Sequence, residues 1–125
     1  MRIVILGGSK STVLATKLLF DQDHEVVMVD FENSRIDKLS EEFDCSFLHG
    51  NGAKPAGSQE CGPEQTDVLC CLMDNDQANI LASLVGRSLG FSFVITSLQD
   101  QELEGICQEV GLEGIIIPSQ ITVDI

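Results

Sequence analysis

Three features of the sequence predict an α/β fold with a doubly wound, six-stranded parallel sheet. Short apolar runs alternate with amphipathic segments from end to end, and glycine, proline, asparagine and aspartate mark the junctions. Strands separated by helices need crossover connections, which give a parallel sheet covered on both faces. The third feature is the first turn, where Gly7 and Gly8 interrupt an apolar run and a helical pattern follows at once.

Residues 3–6 (Ile-Val-Ile-Leu) are continuously apolar, as a strand buried on both faces requires. Residues 11–20 set Leu14 with Leu18, and Ala15 with Leu19, four apart on one helical face. After a polar turn at 21–24, residues 25–30 form a second buried strand that ends in the carboxylate of Asp30. Asn33 or Ser34 can cap a helix carrying Ile36, Leu39 and Phe43. Residues 45–49 give a short third strand, closed by Gly50, Asn51 and Gly52.

Residues 50–64 hold four glycines and two prolines, Pro55 and Pro63, and form the longest irregular stretch, with one short helix expected near Gln59. Residues 67–73 are the fourth strand. Asp74, Asn75, Asp76 and Gln77 begin a long helix to Leu89, with Ile80, Leu81, Leu84 and Val85 on its inner face and Gly90 as its stop. Residues 91–96 form a fifth strand, 99–110 a helix ended by Gly111, and 114–117 a sixth strand. Residues 1–118 therefore read as one domain, and 119–125 as the start of a further helix.

At 125 residues the chain suits one hydrophobic core. It is 43% hydrophobic without an apolar run near the roughly 20 residues of a spanning helix, which implies a soluble domain with no direct membrane insertion. No secretory signal is legible, and the five cysteines (Cys45, Cys61, Cys70, Cys71, Cys107) lack C-x-x-C spacing, so they read as reduced core thiols of a cytoplasmic protein. A formal net charge of −13 excludes nucleic acid as a partner, because phosphate backbones need a basic surface.

On a doubly wound sheet, ligands bind beyond the carboxyl ends of the strands, at the switch point beside the first one. That rule gathers Gly7 to Thr12, Asp30, His49 to Gly52 and Met73 to Asp76 around one crevice. The dinucleotide fingerprint G-x-G-x-x-G falls on Gly7, Ser9 and Thr12, with only the first a glycine. Asp30 lies 23 residues after Gly7, where a carboxylate can accept hydrogen bonds from both ribose hydroxyls of an adenosine and repel a 2′-phosphate. That pattern favours NAD over NADP, although an aspartate opening a surface turn would occupy the same place. Lys10 can offset phosphate charge. The Walker phosphate loop does not fit, since Ser9 precedes Lys10 and Val4 occupies the earlier glycine position. His24 and His49 have neither ligand spacing nor a nucleophile elbow, and no catalytic constellation emerges.

Five segments then coincide in order: the first strand with Gly7-Gly8; Val29-Asp30 with Arg35 beyond; His49-Gly-Asn-Gly-Ala53; Met73-Asp-Asn-Asp-Gln-Ala-Asn-Ile80; and Gly111-Leu-Glu-Gly-Ile-Ile-Ile-Pro-Ser119. In this the chain resembles the TrkA-N (RCK or KTN) domain, the regulatory module of potassium channels and transporters. The resemblance implies a Rossmann-like domain of the NAD(P)-binding type that binds NAD or NADH, or alternatively ATP, ADP or AMP. It implies coupling of that ligand to a membrane potassium transporter or channel subunit at the inner face of the cell membrane, without catalysis. It also implies a homodimer or higher ring assembly, paired through a crossover helix begun at 119–125. The residues it places around the nucleotide are Gly7, Gly8, Ser9, Lys10, Ser11, Thr12, Asp30, Arg35, Asn51, Gly52, Met73 and Asp74.

The departures from the family pattern bear on affinity. Ser9 and Thr12 replace fingerprint glycines, Asn51 replaces the usual acid of the third-strand turn, Met73 the usual threonine, and Ser97 a frequent arginine. Losing an arginine–phosphate pair costs about 1.5–3 kcal/mol, or roughly tenfold to a hundredfold in affinity. The alternatives are a module that has lost its ligand and is kept for dimerisation, or the Rossmann part of an oxidoreductase or a larger hydrolase.

Overall fold

A computed structural model of the chain describes residues 1–7, 24–30, 33–42, 46–50 and 61–117. The helix expected at 11–20, the short helix near Gln59 and the helix opening at 118–125 lie outside the described residues. Six strands form one sheet: β1 (Arg2–Leu6), β2 (Glu25–Asp30), β3 (Ser46–His49), β4 (Val68–Cys71), β5 (Val94–Ser97) and β6 (Gly114–Ile116). Between them run the helices α1 (Asn33–Glu42), α2 (Asp76–Leu89) and α3 (Glu104–Glu109), with single 3-10 turns at Pro63–Gln65 and Gln101–Leu103. Every strand pair is parallel and the order is β3-β2-β1-β4-β5-β6. This is the doubly wound order expected from the alternation, with its switch point between β1 and β4.

The central strands are continuously apolar over residues 3–6, 26–29 and 68–71, because both sheet faces are buried there. Alternate residues divide between the faces. Val4, Leu6, Val27, Val29, Leu69 and Cys71 pack on one side with Ala82 and Phe91. Ile3, Ile5, Val26, Met28, Cys70 and Leu72 pack on the other. Leu98, Cys107, Leu112 and Ile117 form a third cluster between the ends of β5 and β6 and helix α3.

At the amino ends of the strands, Arg2 ties the sheet to residues 61–67. Its Nη1 donates to the Cys61 carbonyl and to Thr66 Oγ1, both at 2.6 Å, while its backbone N–H donates to Asp67 Oδ2 at 2.7 Å.

Two boundaries differ from the sequence expectation. β5 begins at Val94 rather than 91, because the N–H groups of Gly90 and Phe91 are used to close α2, on Arg87 and Gly86 carbonyls. Gly90 takes φ 97° to make that closure. The helix expected over 99–110 is divided: Asp100 caps the 3-10 turn by accepting from the Glu102 N–H at 3.0 Å, and α3 follows.

The inner face of α2 is a correction. The leucine and isoleucine stripe predicts Ile80, Leu81, Leu84 and Val85 inward; Ile80 does pack on the third cluster, yet the buried residues are Asn79, Ala82, Ser83 and Gly86. Leu81 is 51% exposed and Leu84 36%. The cause is closeness of approach. A Cβ at Gly86 would run into Leu69, so only a stripe of small residues lets the helix lie against the sheet.

Candidate functional site at the carboxyl ends of the strands

The chain leaves β1 at Gly7, whose φ of 111° is one that side chains rarely adopt. A Cβ there would stand 2.8 Å from the Leu72 carbonyl oxygen and 3.0 Å from Met73 Cα. Gly7 therefore lies against the end of β4. Its N–H donates to the Val29 carbonyl at 2.8 Å, and the Leu72 N–H donates to Leu6 at 3.0 Å. The ends of β2, β1 and β4 are thus laced together at the switch point.

Asp30 is the last residue of β2, in register with His49 of β3, and only 5% exposed. Its carbonyl accepts the Gly50 N–H at 3.0 Å, which holds the turn after β3 beside it. Asp74 is exposed just beyond β4, and Met73 is half-buried against the core. The structure thus brings Gly7, Asp30, Met73 and Asp74 to one end of the sheet. Arg35 lies in the first turn of α1. Gly8, Ser9, Lys10, Ser11, Thr12, Asn51 and Gly52 lie outside the described residues.

Sequence reasoning missed the side chains that hold this wall. Asn79, 2% exposed in α2, accepts the Met73 N–H on Oδ1 at 2.7 Å and donates from Nδ2 to the Met73 carbonyl at 2.9 Å and the Ser97 carbonyl at 3.0 Å. Both polar groups of Met73 are therefore engaged within the protein. Ser83 Oγ donates to the Asn79 carbonyl at 2.7 Å and lies 2.6 Å from Thr96 Oγ1. Asn75 caps α2 by accepting from the Ala78 N–H at 3.0 Å. Asp76 is left to receive the N–H groups of Gln99 and Asp100 at 2.8 and 2.9 Å. The acidic run that opens α2 is thus partly cap and partly brace. The expected inner stripe did not include Asn79, so no periodicity marked it.

The cysteines beside the crevice are chemically quiet. Burial pushes the Cys70 thiol up to about 11 and Cys71 up to about 12, so both stay protonated near neutrality. Among the described residues no group of three or more His, Cys, Asp or Glu is placed to hold a metal ion.

Comparison with known proteins follows the same outline. The sequence matches the TrkA-N domain over residues 3–118. The chain belongs to the TrkA-N family. A Trk system potassium uptake protein TrkA homolog of Methanothermobacter thermautotrophicus is 25% identical over 120 residues, covering 96% of this chain and 56% of its own length. This TrkA-N chain therefore spans about half the length of that relative. Two solved structures share its fold. The Kef CTD of Shewanella denitrificans in AMP-bound form has TM-score 0.81 at 14% identity, over 96% of this chain and 73% of its own. A GsuK channel bound to NAD has TM-score 0.83 at 17% identity, over 94% of this chain and 21% of its own.

Gly7 and Asp30, two of the residues expected around a nucleotide, stand together at this end of the sheet. Gly7 lets the chain rest on the end of β4, and a carboxylate closes β2 beside it. This is the arrangement by which doubly wound sheets receive a ribose and its phosphates.

Proposed function

We propose that this domain is a nucleotide-responsive regulator of a potassium uptake system, binding NAD or NADH, or alternatively ATP, ADP or AMP, and catalysing no reaction of its own. The observation that carries this reading is the buried Asp30 carboxylate at the end of β2, next to the Gly7 turn and at the switch point. Asp30 accepts hydrogen bonds from the ribose hydroxyls, and the amides beyond Gly7 meet the phosphates. Lys10 and Arg35 are the nearby cations in sequence, with Gly8, Ser9, Ser11, Thr12, Asn51, Gly52, Met73 and Asp74 completing the surround.

Several findings support the remainder of the reading. The Methanothermobacter relative is named as a potassium uptake protein, and the two similar folds carry AMP and NAD. No helix among the described residues is long and apolar enough to cross a membrane. Leu81, Leu84, Ile106 and Val110 present apolar surface on α2 and at α3, suited to assembly as a homodimer or ring at the inner face of the membrane. Nucleotide would act by population shift, favouring one arrangement of paired domains and so biasing the attached pore.

Thermal shift with NAD, NADH, ATP, ADP and AMP tests the proposal. A ligand at a hundredfold excess over Kd adds about 2.7 kcal/mol of stability and raises the melting temperature. No shift with any of the five at millimolar concentration overturns nucleotide sensing.

A further inference from the structure

Asn79 does more than fill a place in the core. Its single carboxamide engages the N–H and the carbonyl of Met73 and, at the same time, the carbonyl of Ser97. Met73 is where the chain leaves β4, and its Cα stands 3.0 Å from the place a Gly7 Cβ would take. Ser97 ends β5. A small displacement of the Met73 peptide would therefore change the contact with the Gly7 turn on one side and the end of β5 on the other. Interiors packed this closely transmit such a shift rather than absorb it. One helical turn away on either side, Ser83 pairs with Thr96 and Asp76 holds Gln99 and Asp100, so α2 grips the same stretch of chain at three levels.

Resting on the nucleotide-binding reading for its ligand, we propose that Asn79 is the positioning residue of the crevice. It fixes the wall on which Gly7 rests, and it makes the segments after β4 and β5 move as one unit. Ligand that presses on Met73 is thereby felt at residues 97–100, on the far side of the switch point. The carboxamide is specific for this task. It offers one acceptor and two donors to one N–H and two carbonyls. Aspartate at 79 would keep the shape and the acceptor but turn a bare oxygen toward two carbonyl oxygens. Protonation would restore one donor.

The test compares the 125-residue chain with N79A, N79D and S83A, using AMP and NAD as probes under conditions where each variant is fully folded. N79A is expected to weaken binding by roughly tenfold or more, and S83A by less than about twofold, although both remove buried hydrogen bonds from one helix face. N79D should bind weakly near about pH 8 and regain affinity toward about pH 5 as its buried carboxyl takes up a proton. The wild-type profile subtracts the contributions of Asp30, Asp74 and Asp76. If folded N79A binds as the wild type does, or if N79D shows no acid recovery of affinity, Asn79 is a core residue only and the proposal falls. Should N79A fail to fold, N79D carries the comparison alone.

Amide hydrogen exchange supplies an arm without ligand. In N79A, or in N79D at alkaline pH, exchange should accelerate together at Met73 and at residues 98–100, and S83A should leave Met73 unchanged. Independent responses at the two segments overturn the coupling. Absence of any nucleotide binding by the wild type would overturn the nucleotide reading instead, while the exchange result still decides the clamp.

Discussion

A Cβ atom at Gly7 would stand 2.8 Å from the carbonyl oxygen of Leu72, so Gly7 and the end of β4 meet backbone to backbone. Gly7→Ala must therefore either push β4 away or strain its own φ of 111°. The two penalties together should cost about 2–5 kcal/mol. Urea denaturation would show this as a lower midpoint with an unchanged slope. A variant as stable as the wild type would mean that the two strand ends are not in contact.

The proposed nucleotide site gives Asp30 a separate test. Replacing it with asparagine keeps its volume at the end of β2 and removes the charge that favours ribose hydroxyls. Affinity for NAD and AMP alike should fall by roughly tenfold to a hundredfold, since hydrogen bonds to a charged group contribute about 1.5–3 kcal/mol. Isothermal titration with both ligands measures it. Equal affinity in Asp30→Asn and wild type would reduce Asp30 to a turn residue.

Asp76 braces the loop after β5 through the N–H groups of Gln99 and Asp100, whereas the α2 cap is Asn75. Asp76→Ala should consequently destabilise the chain by about 1–2 kcal/mol, toward the low end for charge-assisted bonds because the site is open to solvent. The helix itself should keep its start. Exchange should accelerate at residues 99 and 100 but not at Ala78, whose N–H is held by Asn75. Fraying at Ala78 would show that Asp76 and not Asn75 is the effective cap.

Much of this was legible in the sequence because the strands are short continuous apolar runs and the connections alternate with them. That grammar gave the six-stranded parallel sheet and put Gly7, Asp30 and Met73 at one end of it. The phase of α2 was not legible. Ile80, Leu81, Leu84 and Val85 make the more apolar stripe, but the sheet selects the smaller one, Ala82, Ser83 and Gly86, for closeness. Asn79 was quoted with its motif yet given no task, because its partners are backbone groups of residues 6 and 18 positions away. Arg2 escaped for the same reason, since it binds carbonyls near residue 61 that no local pattern announces.

The neighbouring thiols of β4 give a pH prediction with a definite sign. In the unfolded chain both titrate near 9.0, while burial in the folded chain pushes Cys70 up to about 11 and Cys71 up to about 12. Below pH 9.0 both are neutral in either state, and their burial carries no ionisation penalty. Above it the unfolded chain releases protons that the folded chain retains, so unfolding is favoured. Stability should fall by about 1.4 kcal/mol per pH unit for each thiol, until its folded-state value is reached. The informative comparison is Cys71→Ala against wild type. Urea midpoints at about pH 8, 9.5 and 10.5 should decline less steeply in the variant, by one thiol's share. Parallel declines would mean that Cys71 reaches solvent when folded. The same burial should leave Cys70 and Cys71 unlabelled by iodoacetamide at neutral pH until urea is added, since the protonated, enclosed thiol is a poor nucleophile.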